Sequence, residues 1–195
     1  LMSVDYAKRY PIFTIACGPT NSIRGASFLT QEKDAIVVDI GGTTTDVGVL
    51  SHGFPRESMV AVEIGDVRTN FRLPDLVSVG LGGGSIVRRA EDGSVTVGPD
   101  SVGFRVTRDA LVFGGDVVTA TDIVAARGLA PEVGDASLVS SLDADLVERG
   151  YAEIVRIIED AVDAMKTSAG DVKVVLVGGG SILAPEALEG ASAVL

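Results

Sequence analysis

Two hydrophobic rhythms alternate along this chain. Ala35-Ile36-Val37-Val38-Asp39-Ile40 is a nearly unbroken β-branched run, the mark of a central strand covered on both faces. A polar stretch, Gly41 to Thr45, separates it from Asp46-Val47-Gly48-Val49-Leu50, which reads as a second strand. Ser51-His52-Gly53 turns the chain again before a third strand predicted around Ser58 to Ile64. The opening is therefore a three-stranded meander. Far downstream, Lys173-Val174-Val175-Leu176-Val177 is another buried strand, running straight into Gly178-Gly179-Gly180-Ser181.

Helical spacing governs the rest. Val147, Tyr151, Ile154, Val155, Ile158, Ala161, Val162 and Met165 mark one face of a long amphipathic helix. Asp143 and Asp145 near its start and Lys166 near its end suit the helix dipole. Thr119-Ala120-Thr121-Asp122 has capping-box spacing and leads a helix ending at Gly128. A shorter helix is predicted over Asn21 to Thr30, after Gly18-Pro19, with Asn21 or Ser22 as its cap. Residues 65–115 carry short β-like pieces and many turns, and read as a β-rich insertion within one domain, 1–195. Meander, helices and further strands make an α/β pattern with a mixed sheet. The repeated β-α-β order of a doubly wound nucleotide fold is absent.

Composition narrows the classes. The chain has 195 residues, of which 46% are hydrophobic, enough for one well-buried core and too apolar for disorder. Its net charge is −11 and its lysines are Lys8, Lys33, Lys166 and Lys173, with no basic stripe to neutralise phosphates of a nucleic acid. No apolar run approaches the roughly 18 to 20 residues of a membrane span, and the first residues lack a signal-peptide layout. With one cysteine, Cys17, no internal disulfide can form. The expectation is a cytoplasmic protein that binds neither nucleic acid nor membrane. Glycine is the unusual residue: 24 are present, clustered at Gly41-Gly42, Gly82 to Gly84, Gly114-Gly115 and Gly178 to Gly180. Glycine clusters at strand ends suit either tight turns or backbone approaching a ligand.

The sharpest chemistry lies in Asp39-Ile40-Gly41-Gly42-Thr43-Thr44-Thr45-Asp46. Two glycines let N–H groups point at an anion, and three hydroxyls add donors. A carboxylate ends one strand and another begins the next. Carboxylates beside a phosphate pocket make sense when a cation or an attacking water lies between, and Mg²⁺ needs only one or two of them. The bland alternative is a polar hairpin, but a charge following a buried strand is costly without a purpose.

This motif resembles a phosphate-binding hairpin of the actin-like ATPase superfamily. More narrowly, the chain resembles the hydantoinase A / 5-oxoprolinase family, through Gly18-Pro19 to Ala26, Val38 to Val47, Gly80 to Ile86, Val97 to Ser101, Phe113 to Asp116 with Thr119 to Asp122, and Val177 to Ile182. The resemblance implies a ribonuclease-H-like half-domain, a mixed sheet with flanking helices, and use of ATP with Mg²⁺ to open cyclic amides such as hydantoins or 5-oxoproline. It implies Asp39 for Mg²⁺ or the attacking water, Gly41, Gly42 and Thr43 to Thr45 for the phosphates, and Asp46 as an orienting carboxylate. Gly178, Gly179, Gly180 and Ser181 would form the adenosine-side turn. The family also carries an earlier glycine-threonine hairpin, and this sequence has one such hairpin, so the chain looks like an internal fragment. The implied partners are the missing N-terminal half and a B-type hydantoinase subunit or domain, and the chain alone is expected to be inactive. The resemblance extends to acetone and acetophenone carboxylase subunits, and a non-catalytic nucleotide-binding scaffold stays open beside both.

Other signals carry less. Gly82-Gly83-Gly84-Ser85 lacks the third spaced glycine of a dinucleotide fingerprint and reads as a mobile loop facing substrate or partner, while Gly114-Gly115-Asp116 reads as an anion site or a plain turn. No glycine precedes Lys-Ser or Lys-Thr, so a Walker loop is absent. His52 sits in a predicted exposed turn, Cys17 is expected to be a buried small hydrophobe, and Arg68 and Arg72 fit surface salt links or an anion.

Overall fold

A computed structural model describes residues 2–58, 63–64, 66–68, 73–167 and 170–195. The chain opens with α1 (Val4–Arg9), capped by Ser3, whose hydroxyl accepts the Tyr6 N–H, and a 3-10 turn at Pro11–Thr14. Helix α2 (Cys17–Thr30) starts four residues earlier than the sequence pattern indicated, so Asn21 and Ser22 lie inside it rather than at its cap. Pro19 falls in its first turn, where a missing N–H costs nothing, and so does not break it.

Strands β1 (Ala35–Ile40) and β2 (Thr45–Ser51) follow, then the short β3 (Phe54–Pro55). Of the expected strand over 58–64, residues 59–62 lie outside the described set, and Glu63–Ile64 (β4) pairs with Val67–Arg68 (β5). Next come β6 (Leu76–Val79), β7 (Ser85–Arg89), β8 (Val95–Ser101) and the single-turn α3 (Val106–Asp109). The capping box opens α4 (Ala120–Ala126), and α5 (Ala144–Met165) is the long amphipathic helix, capped by Asp143, whose carboxylate accepts the Leu146 N–H at 2.9 Å. Strands β9 (Val172–Val177) and β10 (Ala191–Val194) complete the order.

The main sheet runs β10-β9-β1-β2, and β2 pairs on its far side with both β3 and β6. Pairing of β1 with β2 is antiparallel, and β1–β9 and β9–β10 are parallel, so the sheet is mixed as the pattern indicated. Within 65–115, β6 joins this sheet while β7 and β8 form a separate hairpin.

The β1 run is apolar because both its faces are covered. Ile36, Val38 and Ile40 enter the large core with Ile123 of α4 and Ile154, Ile158 and Val162 of α5. Ala35 and Val37 face the other way, onto Ile23 and Ala26 of α2 with Leu50 and Val175. No helix among the described residues is long and apolar enough to cross a membrane. The consequence for function is directional: β1 and β9 end side by side, each in a glycine turn.

Candidate functional site

The turn between β1 and β2 is closed by the Gly41 N–H, which donates to the Thr44 carbonyl at 2.9 Å. Its own carbonyls point into the protein, Gly41 accepting the Gly83 N–H at 3.0 Å and Gly42 accepting the Gly84 N–H at 2.8 Å. The N–H groups of Gly42, Thr43 and Thr44 have no partner among the described residues, and all three residues are exposed. With carbonyls turned inward and amides left outward, the tip is a concavity suited to an anion. The Thr43 and Thr44 hydroxyls lie on this exposed tip. Thr45 differs: it is fully buried and its Oγ1 donates to the Leu81 carbonyl at 2.7 Å, so that hydroxyl is committed to the fold.

Just below the tip runs a row of side chains on the α2 face of the sheet. Asp39 on β1 is paired in register with Asp46 on β2, flanked by Val177 of β9 and Ser78 of β6. Both carboxylates are half-buried. The Ser78 hydroxyl donates to Asp46, a partner that no motif in the sequence announced. Asp39 turns toward the β9 side, since a Cβ on Gly178 would lie 2.5 Å from its Oδ1. Helix α2 runs beside β2, with Ile23 against Gly48 and Arg24 donating to the Gly53 carbonyl, which brings its N-terminal end to the same end of the sheet. Cys17, expected to be buried, is exposed there because it opens the first turn of α2 rather than packing into the core.

The turn after β9 is locked onto β1. Gly178 has φ +89° and the Gly180 N–H donates to the Ile40 carbonyl at 2.8 Å; a Cβ on Gly180 would sit 2.6 Å from Ile40 Cγ2. Gly179 is exposed, and a Cβ there would meet nothing within 4 Å; the same holds at Gly42. Each turn thus has one glycine whose open side the fold itself does not fill. Ser181 is half-buried and begins a 3-10 turn, Ser181–Leu183.

The Gly82–Ser85 segment is not a mobile loop. Leu81 to Ser85 are all buried, and a Cβ on Gly82 would lie 2.4 Å from the Thr43 nitrogen, so bare backbone is required for it to brace the hairpin. The Thr121 hydroxyl ties the same segment down through the Gly83 carbonyl at 2.8 Å, and the Ser101 hydroxyl donates to the hairpin itself, to the Gly42 carbonyl at 3.4 Å. The signal was the glycine run itself; that its partner would be another glycine turn was not visible. Asp122 is fully buried and accepts from Val112 N–H, Thr119 N–H and Thr119 Oγ1, which makes it structural. Gly115 packs against the Asp109 backbone, favouring the plain-turn reading of Gly114-Gly115-Asp116. His52 occupies an exposed turn, its N–H on the Asp34 carboxylate at 3.0 Å. Arg68 is exposed on β5, and Arg72 lies outside the described residues.

At the opposite end of the sheet a cavity of about 880 Å³ opens among Lys33, Asp34, Lys166 and Lys173. It shares no residue with the glycine turns.

The chain is similar to several known proteins. The family model for hydantoinase/oxoprolinase matches residues 1–171. The acetophenone carboxylase gamma subunit of Aromatoleum aromaticum is 29% identical over 124 residues, covering 62% of this chain and 17% of that protein. Among solved structures, a nucleotide-free acetone carboxylase superposes with a TM-score of 0.63 at 21% identity, over 83% of this chain and 26% of its own. An ATP-dependent caprolactamase from Pseudomonas jessenii superposes with a TM-score of 0.58 at 17% identity, over 88% of this chain and 30% of its own. The chain therefore spans from under a fifth to under a third of the length of these relatives. It shares with these structures a mixed α/β fold, a mixed sheet with flanking helices, as the sequence pattern implied. The chain belongs to the hydantoinase/oxoprolinase family.

Proposed function

We propose that this chain is the phosphate-gripping, nucleotide-binding half of an ATP-dependent enzyme that opens cyclic amides of the hydantoin or 5-oxoproline type. The observation carrying this reading is the hairpin tip, where the N–H groups of Gly42, Thr43 and Thr44 face outward without partners beside the Asp39–Asp46 pair. Gly178 to Ser181 would take the adenosine side, one strand away.

The donor set suits Mg²⁺: no group of three or more metal-type ligands occurs among the described residues, and Mg²⁺ is held well by one or two carboxylates with water and phosphate oxygens. Asp39 would hold that ion, with Asp46 beside it as an orienting carboxylate, and the bound ion would neutralise phosphate charge. The hairpin amides and the Thr43 and Thr44 hydroxyls would grip the terminal phosphate oxygens as charge builds on them, and such preorganised donors usually supply the largest single share of catalysis. Asp39 would orient the water or metal, and Ser78 would keep Asp46 in one rotamer. Transfer of the phosphoryl group to a ring-amide oxygen makes a poor electrophile a good one, and water then opens the ring. The other half of the cleft and a B-type subunit or domain would complete the site, in the cytoplasm.

The acetophenone carboxylase relative favours a second reading, a carboxylase-type subunit in which ATP activates a ketone enol or bicarbonate. The carboxylate pair argues against a third, a scaffold that only binds nucleotide. The test is ADP release by the full-length protein with 5-oxoproline, N-methylhydantoin and caprolactam, against acetone and acetophenone with bicarbonate. Turnover on the ring amides is expected. Turnover confined to ketones installs the second reading, and no turnover with firm ATP binding installs the third.

A further inference from the structure

Phe104 is 94% exposed, an unusual state for a phenyl ring, and it stands beside the phosphate hairpin rather than on a remote surface. The turn that carries it is rigid. Val102 is buried and its N–H donates to the Gly84 carbonyl at 2.9 Å, the Gly103 N–H donates to Ser101 Oγ at 3.0 Å, and the Arg105 N–H donates to the Val102 carbonyl at 3.2 Å. Gly103 has φ +59°, and a Cβ there would lie 3.8 Å from Thr43 Oγ1. A short, braced pedestal therefore holds an aromatic ring in solvent next to the donors that would grip a terminal phosphate.

Strand order gives this placement a direction. The turn after β9 lies on one side of the β1–β2 hairpin, and the Gly82–Ser85 and Ser101–Gly103 segments lie on the other. A nucleotide with its adenosine side on Gly178 to Gly180 and its phosphates over Gly42 to Thr44 points its last phosphate toward Phe104. The acceptor must approach that phosphate from beyond it. Nearby positive charge is already engaged: Arg105 and Arg108 both pair with Asp109, whose carboxyl is held below its usual range by the Arg108 hydrogen bond first and the two arginine charges after it. Among the described residues of this turn, the group that stands free is the apolar ring.

Resting on the nucleotide reading above, the geometry points to Phe104 as a specificity-determining residue that takes the apolar body of the carbonyl acceptor, the ring methylenes of a cyclic amide or the hydrocarbon part of a ketone. Its role is to bury that body while the carbonyl oxygen meets the phosphate. Because the ring touches little of its own fold, Phe104→Ala leaves the melting temperature unchanged.

The test is calorimetry on the full-length protein, wild type and Phe104→Ala, first with a non-hydrolysable ATP analogue and then with caprolactam and acetophenone in its presence. The expected result is about a tenfold loss of affinity for the carbonyl compounds, the scale of a lost apolar contact in a binding pocket, with analogue affinity unchanged. Equal losses for analogue and carbonyl compounds, no loss at all, or no binding of either carbonyl compound to the wild type overturns the inference. A lowered melting temperature or a changed oligomeric state also overturns it, since the ring would then be covered by protein. Failure of the wild type to bind the analogue overturns the nucleotide reading itself; binding of the analogue with no response to Phe104→Ala overturns this inference alone.

Discussion

The two ends of the central sheet are made of different materials. Where β1 and β9 finish, the surface is backbone: the tips at Gly41 to Thr44 and Gly178 to Gly180, with Gly82 to Gly84 packed behind the first of them. Where those strands begin, the surface is charged side chains, Glu32, Lys33, Asp34, Lys166, Asp171 and Lys173, around a cavity of about 880 Å³. The hollow is at the second end, yet the unpartnered amides and the carboxylate pair are at the first. Parallel strands explain why, because their carboxyl ends are where chains leave the sheet and where ligands meet loops and turns. Volume alone does not choose a site; directed donors do.

The largest effect that would break this comparison is on catalysis. Asp39→Asn in the full-length protein keeps the shape of the carboxylate and removes its charge. ATP-dependent turnover should fall at least about a hundredfold, the scale for losing one preorganised charge-stabilising group, while the melting temperature holds. Full activity in that variant would take the carboxylate row out of the mechanism.

A glycine pair sharpens the contrast within the first end. At Gly82 a Cβ would lie 2.4 Å from the Thr43 nitrogen and 2.6 Å from the Gly42 carbonyl carbon, so backbone has to move. Gly82→Ala should cost about 1–3 kcal/mol of stability, read as a lower denaturation midpoint, and should weaken ATP binding with it. Gly42→Ala meets nothing within 4 Å, so its stability should be unchanged and only nucleotide affinity should drop. Equal destabilisation by both would mean that Gly42 serves the fold and not a ligand.

Thr45 is a smaller case of the same division. Thr45→Val keeps the β-branched shape but leaves the Leu81 carbonyl without its donor inside the protein, at a cost of about 1–3 kcal/mol. Equilibrium unfolding should register the loss, and the KM for ATP should stay within about twofold of wild type because no ligand contact is removed. A large KM change with unaltered stability would return the Thr45 hydroxyl to the phosphate site.

The strands of this fold were legible because their burial is two-sided: an unbroken run such as Ala35 to Ile40 has one structural meaning, and α5 declared itself through its period. The hairpin site was legible for a related reason, since Asp39 through Asp46 concentrates donors and carboxylates within one turn. What could not be read depended on contacts between distant segments. Nothing local distinguishes Gly82, whose bareness is required by Thr43, from Gly42, whose bareness the fold does not require. Ser78 looks like any strand serine until β6 pairs beside β2 and sets it next to Asp46. The start of α2 at Cys17 is not marked locally, because its first turn holds Gly18 and Pro19, and a proline there is tolerated without being required.

The smallest effect belongs to the charged end. Lys173 bridges both oxygens of Glu32 at 2.8 and 2.9 Å, with side-chain exposures of 47% and 25%. Water and mobile ions screen so open a pair, and holding two long side chains together costs entropy, so its net contribution is below about 1 kcal/mol. Lys173→Met should therefore lower the melting temperature by less than about 4 °C, as expected for a domain of this size. The difference should shrink further as salt rises and the screening length falls. Lys173 lies at the start of β9 and Gly178 just past its end, so nothing about nucleotide binding should change. A tenfold change in ATP-dependent turnover from Lys173→Met would carry the chemistry to the cavity end of the sheet, and the division drawn between the two ends would no longer hold.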